Sequence, residues 1–289
     1  MIVNLLKTLS RHYMEAKFSV AIITLTKEVQ GYIRDHAVSL RAAQLTLATL
    51  LAAVPILTIV LGILRLTPAM ASMETNLVQF VEQHLAPGSS ETLVPYLLSF
   101  SEQAKNLPAV GVITLLVTAL LLLNSFEAGV QQIWQVKQVR KLRERLLIYW
   151  SILTMGPILL AAAGSLYGTL LSYQIQGLSI STLFNQVVEF GGFVIYFIAL
   201  FVLNYLTPNT DTQLKPTALS ALIGVVALSL VNWAFSNFAQ FFANYQVVYG
   251  AFAALPIFLV WLQITWLVIL ISVCINAALH RNRLFIKLE

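Results

Sequence analysis

The chain has 289 residues, 58% of them hydrophobic and 10% charged, with a mean hydropathy of +0.82 and a formal net charge of +5. A soluble domain carries about 25% charged residues, so composition alone excludes a water-soluble globule. Cys274 is the only cysteine, which excludes an intrachain disulfide and a cysteine-held metal cluster.

The charges fall in clumps. No Lys, Arg, Asp or Glu occurs in 42–64, 106–126, 146–188, 190–210 or 216–280. A bilayer core about 30 Å thick takes roughly 20 helical residues to cross, and a backbone in lipid must satisfy its own polar groups. Each window therefore holds at least one helix. The last would make about 100 Å of helix at about 1.5 Å per residue, so it must fold back on itself. The polar stretch Asn244-Tyr245-Gln246, ahead of Tyr249-Gly250, is the expected place.

In chain order, residues 1–42 come first and are expected to be an amphipathic cytoplasmic segment lying partly at the interface. The apolar run Phe18 to Thr26 is too short to span, and Lys27-Glu28 follow where the small cleavage residues of a signal peptide belong. Span 1 is predicted over Ala43 to Leu64. The connection 66–107 carries apolar residues at helical spacing on either side of Pro87-Gly88 (Met73, Leu77, Phe80 and Leu85, then Leu93, Leu97 and Phe100), which predicts an amphipathic helical hairpin on the outer face. Spans 2 to 6 follow over Pro108 to Phe126, Leu147 to Ser172, Val188 to Leu206, Thr217 to Ala243 and Ala251 to Leu279. The fold class predicted is all-α: a single transmembrane domain over 1–289, with its bundle within 43–279.

Six spans sort the connections alternately to two sides, and 15 of the 17 Lys and Arg then fall on one of them. Cytoplasmic loops carry the Lys and Arg excess, which places both termini in the cytoplasm. The cluster Lys137, Arg140, Lys141, Arg143 and Arg145 pins the loop after span 2 to that face and is expected to contact anionic headgroups. It has no interleaved aromatic platforms, so nucleic acid is not an expected partner. His12, His36, His84 and His280 are scattered singly, and nothing has the spacing of a metal centre or a catalytic constellation. No metal, no cofactor and no enzymatic activity are expected.

Polar residues at membrane depth are expensive and point to function by default. Glu127 shares a helical stripe with Asn124, Gln131 and Gln135. Ser229, Asn232, Ser236, Gln240 and Asn244 form another on span 5. Interhelical hydrogen bonding is one reading of these stripes and a lipid or solute path is the other. Pro55, Pro157 and Pro256 interrupt spans 1, 3 and 6 and are expected to kink them, either as packing devices or to free carbonyls toward a cavity.

NSFEAGVQQIW (124–134), YWSILTMGPILLAAA (149–163), NYLTPNT (204–210) and YQVVYGAFAALPIFLVWLQITW (245–266) together resemble the YihY/BrkB family of bacterial inner-membrane proteins, once labelled ribonuclease BN, a label generally regarded as mistaken. The resemblance covers nearly the whole chain and implies six transmembrane helices in a Gram-negative inner membrane. Some members are linked to virulence or to export of envelope lipid. It places Glu127 and Gln131 where the family tends to have an acid and an amide. Pro208 and Asn209 match its Pro-Asn pair, and Tyr149, Trp150, Gly156, Pro157, Tyr249, Gly250 and Pro256 match its other patterns. Where many members resemble Gly-Ala-Glu in the last span, this chain has Ser272-Val273-Cys274, so a mechanism requiring that glutamate cannot operate unchanged. The expected function is a non-enzymatic translocator of lipid or a small envelope solute, with membrane lipids as partners. A structural or assembly factor binding envelope partners is the alternative.

Overall fold

The structure is a computed structural model in which residues 23–64, 94–96, 98, 99, 103, 109–136, 140, 141, 143–149, 181–249 and 254–281 are described. These residues form five long helices: α1 (Val38–Leu64), α2 (Ala109–Ile133), α3 (Ser181–Leu206), α4 (Leu214–Tyr249) and α5 (Ala254–Arg281). Shorter helical stretches cover 23–35 and 143–149, and no strand occurs among the described residues. Three of the helices are long and apolar enough to cross a membrane, over Val38–Ile56, Leu214–Asn237 and Leu255–Arg281.

Several boundaries differ from the sequence expectation for identifiable reasons. α2 continues past Phe126 to Ile133, because Asn124, Glu127 and Gln131 are all tolerated inside a helix. It stops in a Schellman turn: Gln135 takes a left-handed φ of 54°, the Gln135 N–H bonds to the Gln132 carbonyl, and the Val136 N–H bonds to the Gln131 carbonyl. Gln135 is thereby removed from the stripe predicted for it.

The long window 216–280 does fold back, but not at Asn244-Tyr245-Gln246. α4 runs through those three residues to Tyr249, and α5 begins at Ala254. Polar side chains alone do not break a helix, and residues 250–253, between α4 and α5, lie outside the described residues. Pro256 does not interrupt its helix either. Like Pro216 in α4 it is the third residue of its element, where the missing N–H is one that has no intrahelical partner anyway. Pro55 is inside α1 as expected, fully buried. Pro157, most of span 3 and most of the 66–107 hairpin lie outside the described residues; 94–96, 98, 99 and 103 within the hairpin are helical.

α5 packs against all four other helices, and the remaining strong pairings are α1 with α2 and α3 with α4. One core joins α1, α2 and α5 through Leu45, Phe126, Val130, Leu270 and Val273. Others join α4 to α5 through Phe235, Phe258 and Trp261, and α3 to α4 through Leu200, Val225 and Leu228. Two indole N–H groups are satisfied across these contacts: Trp266 donates to Thr49 Oγ1 at 2.9 Å and Trp261 to Asn232 Oδ1 at 3.0 Å.

The outer surface is the reverse of a soluble bundle. Ile113, Val117 and Leu121 form an exposed stripe at four-residue spacing on α2. Ile198, Val202 and Leu206 do so on α3, and Leu222, Val226, Leu230 and Trp233 form another on α4 at spacings of four, four and three. Continuous apolar stripes of this kind find their partner in lipid tails.

Contacts at the helix ends fix relative polarity. Gln131 near the end of α2 meets Thr207 just after α3, His280 near the end of α5 meets Gln213 just before α4, and Arg281 meets Tyr32 just before α1. The C-terminal ends of α2, α3 and α5 and the N-terminal ends of α1 and α4 thus gather at one end of the molecule. Arg34, Arg41, Arg140, Arg145, Lys215 and Arg281 all belong to these ends.

Candidate functional site

At that basic end a carboxylate is buried. Glu127, six residues before the end of α2, is 3% exposed. The Tyr149 hydroxyl donates to its Oε2. Arg140 Nη1 lies 3.7 Å from Oε1 and Arg145 Nε 3.5 Å from Oε2, with side chains only 12% and 20% exposed. Arg145 Nη1 also donates to Asn124 Oδ1 at 3.1 Å, one helical turn before Glu127. The basic segment after α2 therefore turns back on the helix it leaves.

Arg140 has a second role. Its guanidinium donates to the carbonyls of Leu206 (2.7 Å), Thr207 (3.2 Å) and Pro208 (3.2 Å). Those oxygens terminate α3, where carbonyls lack intrahelical partners and the helix dipole is negative, so a cation there is favoured twice over. Gln131 clamps the same loop from α2: its Nε2 donates to the Thr207 carbonyl at 2.9 Å and its Oε1 accepts the Asn209 N–H at 3.1 Å. Three segments distant in sequence are joined through one carboxylate, one amide and two guanidinium groups. Two cations against one anion leave the cluster with a formal charge of +1.

Arg140 and Arg145, expected at the headgroups, are thus turned into the protein. Lys141 and Arg143 are exposed, alongside exposed Leu146 and Leu147 on the 143–149 helix; Lys137 is outside the described residues. The span 5 stripe is split. Asn232 faces α5 through Trp261, while Ser229 and Ser236 are exposed. They follow Leu228 and Phe235, which face inward, and one residue turns a helix by about 100°. The side chain of Gln240 lies outside the described residues.

A second polar knot was not singled out from sequence. Asn204, Thr217, Ser220, Ser272 and Asn276 are buried between α3, α4 and α5. Asn276 Nδ2 donates to the Asn204 carbonyl at 3.0 Å, Asn204 Nδ2 to Ser272 Oγ at 2.8 Å, and Ser272 Oγ to the Ser220 carbonyl at 3.3 Å. The readable signal was Ser272 and Asn276, one turn apart in the second half of a mostly apolar span.

Beside the cluster, outside the spans, a polar cavity of about 320 Å3 is lined by Glu28, Tyr32, Asp35, His36, Gln135 and Arg281. Partial burial pulls the His36 imidazole below its ordinary pKa; the nearby Arg41 adds to this and Asp35 opposes it. Among the described residues, no group of three His, Cys, Asp or Glu side chains is placed to hold a metal ion.

The lipid-facing stripes and the buried charges at one end define an integral membrane protein. The chain belongs to the family described as Virulence factor BrkB, whose pattern matches residues 29–286. It is 39% identical over 248 residues to a "UPF0761 membrane protein" of Halorhodospira halophila, covering 84% of this chain and 54% of that protein. It is 33% identical over 257 residues to one of Psychrobacter sp. (87% and 47%) and 33% over 280 residues to one of Chromohalobacter salexigens (93% and 66%). The chain thus spans about half to two thirds of the length of these relatives. No solved structure matches it.

Proposed function

We propose that the chain is a multi-pass protein of the bacterial inner membrane, with six spans and both termini cytoplasmic, that moves a lipid or a small envelope solute and performs no covalent chemistry. The observation that carries this reading is the Glu127 cluster. A carboxylate buried with two guanidinium groups costs several kcal/mol per ion in desolvation, and well-packed apolar residues would hold helices together at least as well. Ionisable groups retained at such depth mark paths and gates more often than packing. The cluster links the inner end of α2 to that of α3 and to the basic arm, where a gate between two helices would sit.

The test is reconstitution. In vesicles carrying a fluorescent phospholipid, the native chain should accelerate exchange between leaflets, and Glu127→Gln or Asn232→Ala should slow that exchange about tenfold at equal protein yield, equivalent to about 1.4 kcal/mol in the barrier. Unchanged rates in both variants would remove the path. A second reading is favoured by exposed Lys141, Arg143, Leu146 and Leu147 on the arm: a structural factor that docks envelope partners and moves nothing. Crosslinking from Lys141 that recovers a stoichiometric partner, with no exchange in vesicles, would select it. A reporter fused after residue 289 tests the orientation, and a periplasmic signal would reverse it.

A further inference from the structure

The knot between α3, α4 and α5 runs in one direction. Asn276 gives one amide hydrogen to the Asn204 backbone carbonyl, Asn204 gives one of its own to Ser272 Oγ, and Ser272 gives its hydroxyl hydrogen to the Ser220 carbonyl. Thr217 Oγ1 and Ser220 Oγ donate to the carbonyls of Gln213 (2.7 Å) and Thr217 (2.9 Å). The hydroxyl hydrogens of the knot are therefore all committed. What remains is two carbonyl oxygens without a partner. Asn204 Oδ1 and Asn276 Oδ1 are buried without a hydrogen-bond partner, on residues 1% and 0% exposed. The Asn276 amide cannot be reversed to relieve this, because its nitrogen faces a backbone carbonyl that only accepts.

Two leftover acceptors in a low-dielectric interior are costly, and their chemistry specifies what would answer them. A water could donate to both. A small cation needs only oxygens. Asn204 lies in the last turn of α3 and Asn276 near the end of α5, and helix C-terminal ends favour positive charge and serve as cation ligands inside membranes. Arg140, bonded one turn away to the carbonyls of 206–208, opposes any further positive charge in proportion to that charge. This selects a monovalent ion over a divalent one.

We infer that Asn204 Oδ1 and Asn276 Oδ1, with Ser272 Oγ, form an intramembrane site for a monovalent alkali cation. The inference rests on the two buried, unpartnered oxygens and not on the function proposed above. If the translocation reading holds, it supplies that reading with a coupling ion.

The test needs no transport. The full chain, purified in detergent, is unfolded thermally in choline, sodium and potassium chloride at equal ionic strength. Sodium or potassium should raise the midpoint by about 3 °C over choline. Asn204→Ala and Asn276→Ala should abolish that difference. Asn276→Asp, close in shape and carrying a carboxylate, should lower the half-saturating ion concentration about tenfold. Identical midpoints in all three chlorides for the native chain would overturn the site and leave water on these oxygens. So would an ion dependence unaltered in Asn276→Asp, which keeps the question decidable if the alanine variants do not fold. Failure of the vesicle assay with an intact ion shift would sink the translocation reading alone.

Discussion

The two polar knots are both buried and both tie α3 to other elements, yet they are built in opposite ways. The Glu127 cluster is charged, and its counter-charges come from outside its helix: Arg140 and Arg145 belong to the segment that follows α2. The Asn204–Ser272–Asn276 knot is neutral, and every member comes from a helix or from the carbonyls of one. A charge at membrane depth must recruit its opposite from the polar connection nearest to it. A neutral amide needs only one more oxygen or nitrogen within reach. The first arrangement fastens a connection to the bundle; the second fastens spans to each other.

The comparison breaks most visibly at Glu127. Removing the carboxylate with Glu127→Ala leaves two guanidinium groups mostly buried and unpaired, a situation worth about 3–5 kcal/mol of destabilisation. The thermal midpoint in detergent should fall by about 10 °C. The arm should also come free, seen as a proteolytic cut between Lys137 and Arg145 that the native chain resists. A variant that melts like the native chain and resists the protease would show that the arm is held by its packing and not by its charges.

Sequence made the charged knot legible and hid the neutral one, for a reason of contrast. A lone glutamate next to an apolar window stands out in any reading, and the stripe Asn124, Glu127 and Gln131 followed from helical spacing alone. That Arg140 and Arg145 would turn inward was not legible, because a basic loop beside a membrane has a sufficient explanation in topology and lipid contact. Ser272 was noted only as a departure from the family pattern and Asn276 was passed over, because neither is ionisable and hydropathy over a window averages them away. The span 5 stripe failed differently. Helical spacing placed Ser229 and Ser236 on one face but could not say which faces α3 and α5 would cover; Leu228 went to the core shared with α3 and Phe235 to the core shared with α5. The turn after α4 was misplaced because a polar stretch was read as a helix end, and α4 runs through it to Tyr249.

The neutral knot is sharpened by Gly224. A methyl group added there would sit 3.0 Å from Leu200 Cδ1, Ser272 Cβ and Ser272 Oγ, closer than van der Waals contact permits. Gly224→Ala gains about 1 kcal/mol of helix propensity but overpacks a contact at a cost of about 1–3 kcal/mol. A net loss of about 1 kcal/mol is expected, together with a weaker sodium or potassium effect on the midpoint, since Ser272 must move. Gly129→Ala is the control: its methyl would meet only Arg41, at 3.8 Å or more, which is ordinary contact, and helix propensity should then make it neutral or stabilising. If the two variants behave alike, the close approach of α3, α4 and α5 at Gly224 is not what holds the neutral knot.

The smallest effect expected lies at the turn that sends the chain from α2 toward Arg140. Gln135 holds a φ of 54°, a left-handed conformation that costs a residue with a Cβ about 1–2 kcal/mol and a glycine almost nothing. Its backbone N–H, bonded to the Gln132 carbonyl, is kept in Gln135→Gly. Part of the gain is returned, because glycine also loosens the unfolded chain, leaving a net stabilisation of about 0.5–1 kcal/mol. The outcome discriminates because the turn and the ion pairs act on the same segment. If Gln135→Gly stabilises the native chain but does nothing in a Glu127→Ala background, the turn is formed only while Arg140 and Arg145 hold the arm down. If the gain is the same in both backgrounds, the Schellman turn stands on the helix alone, and the cluster fastens an arm already aimed at it.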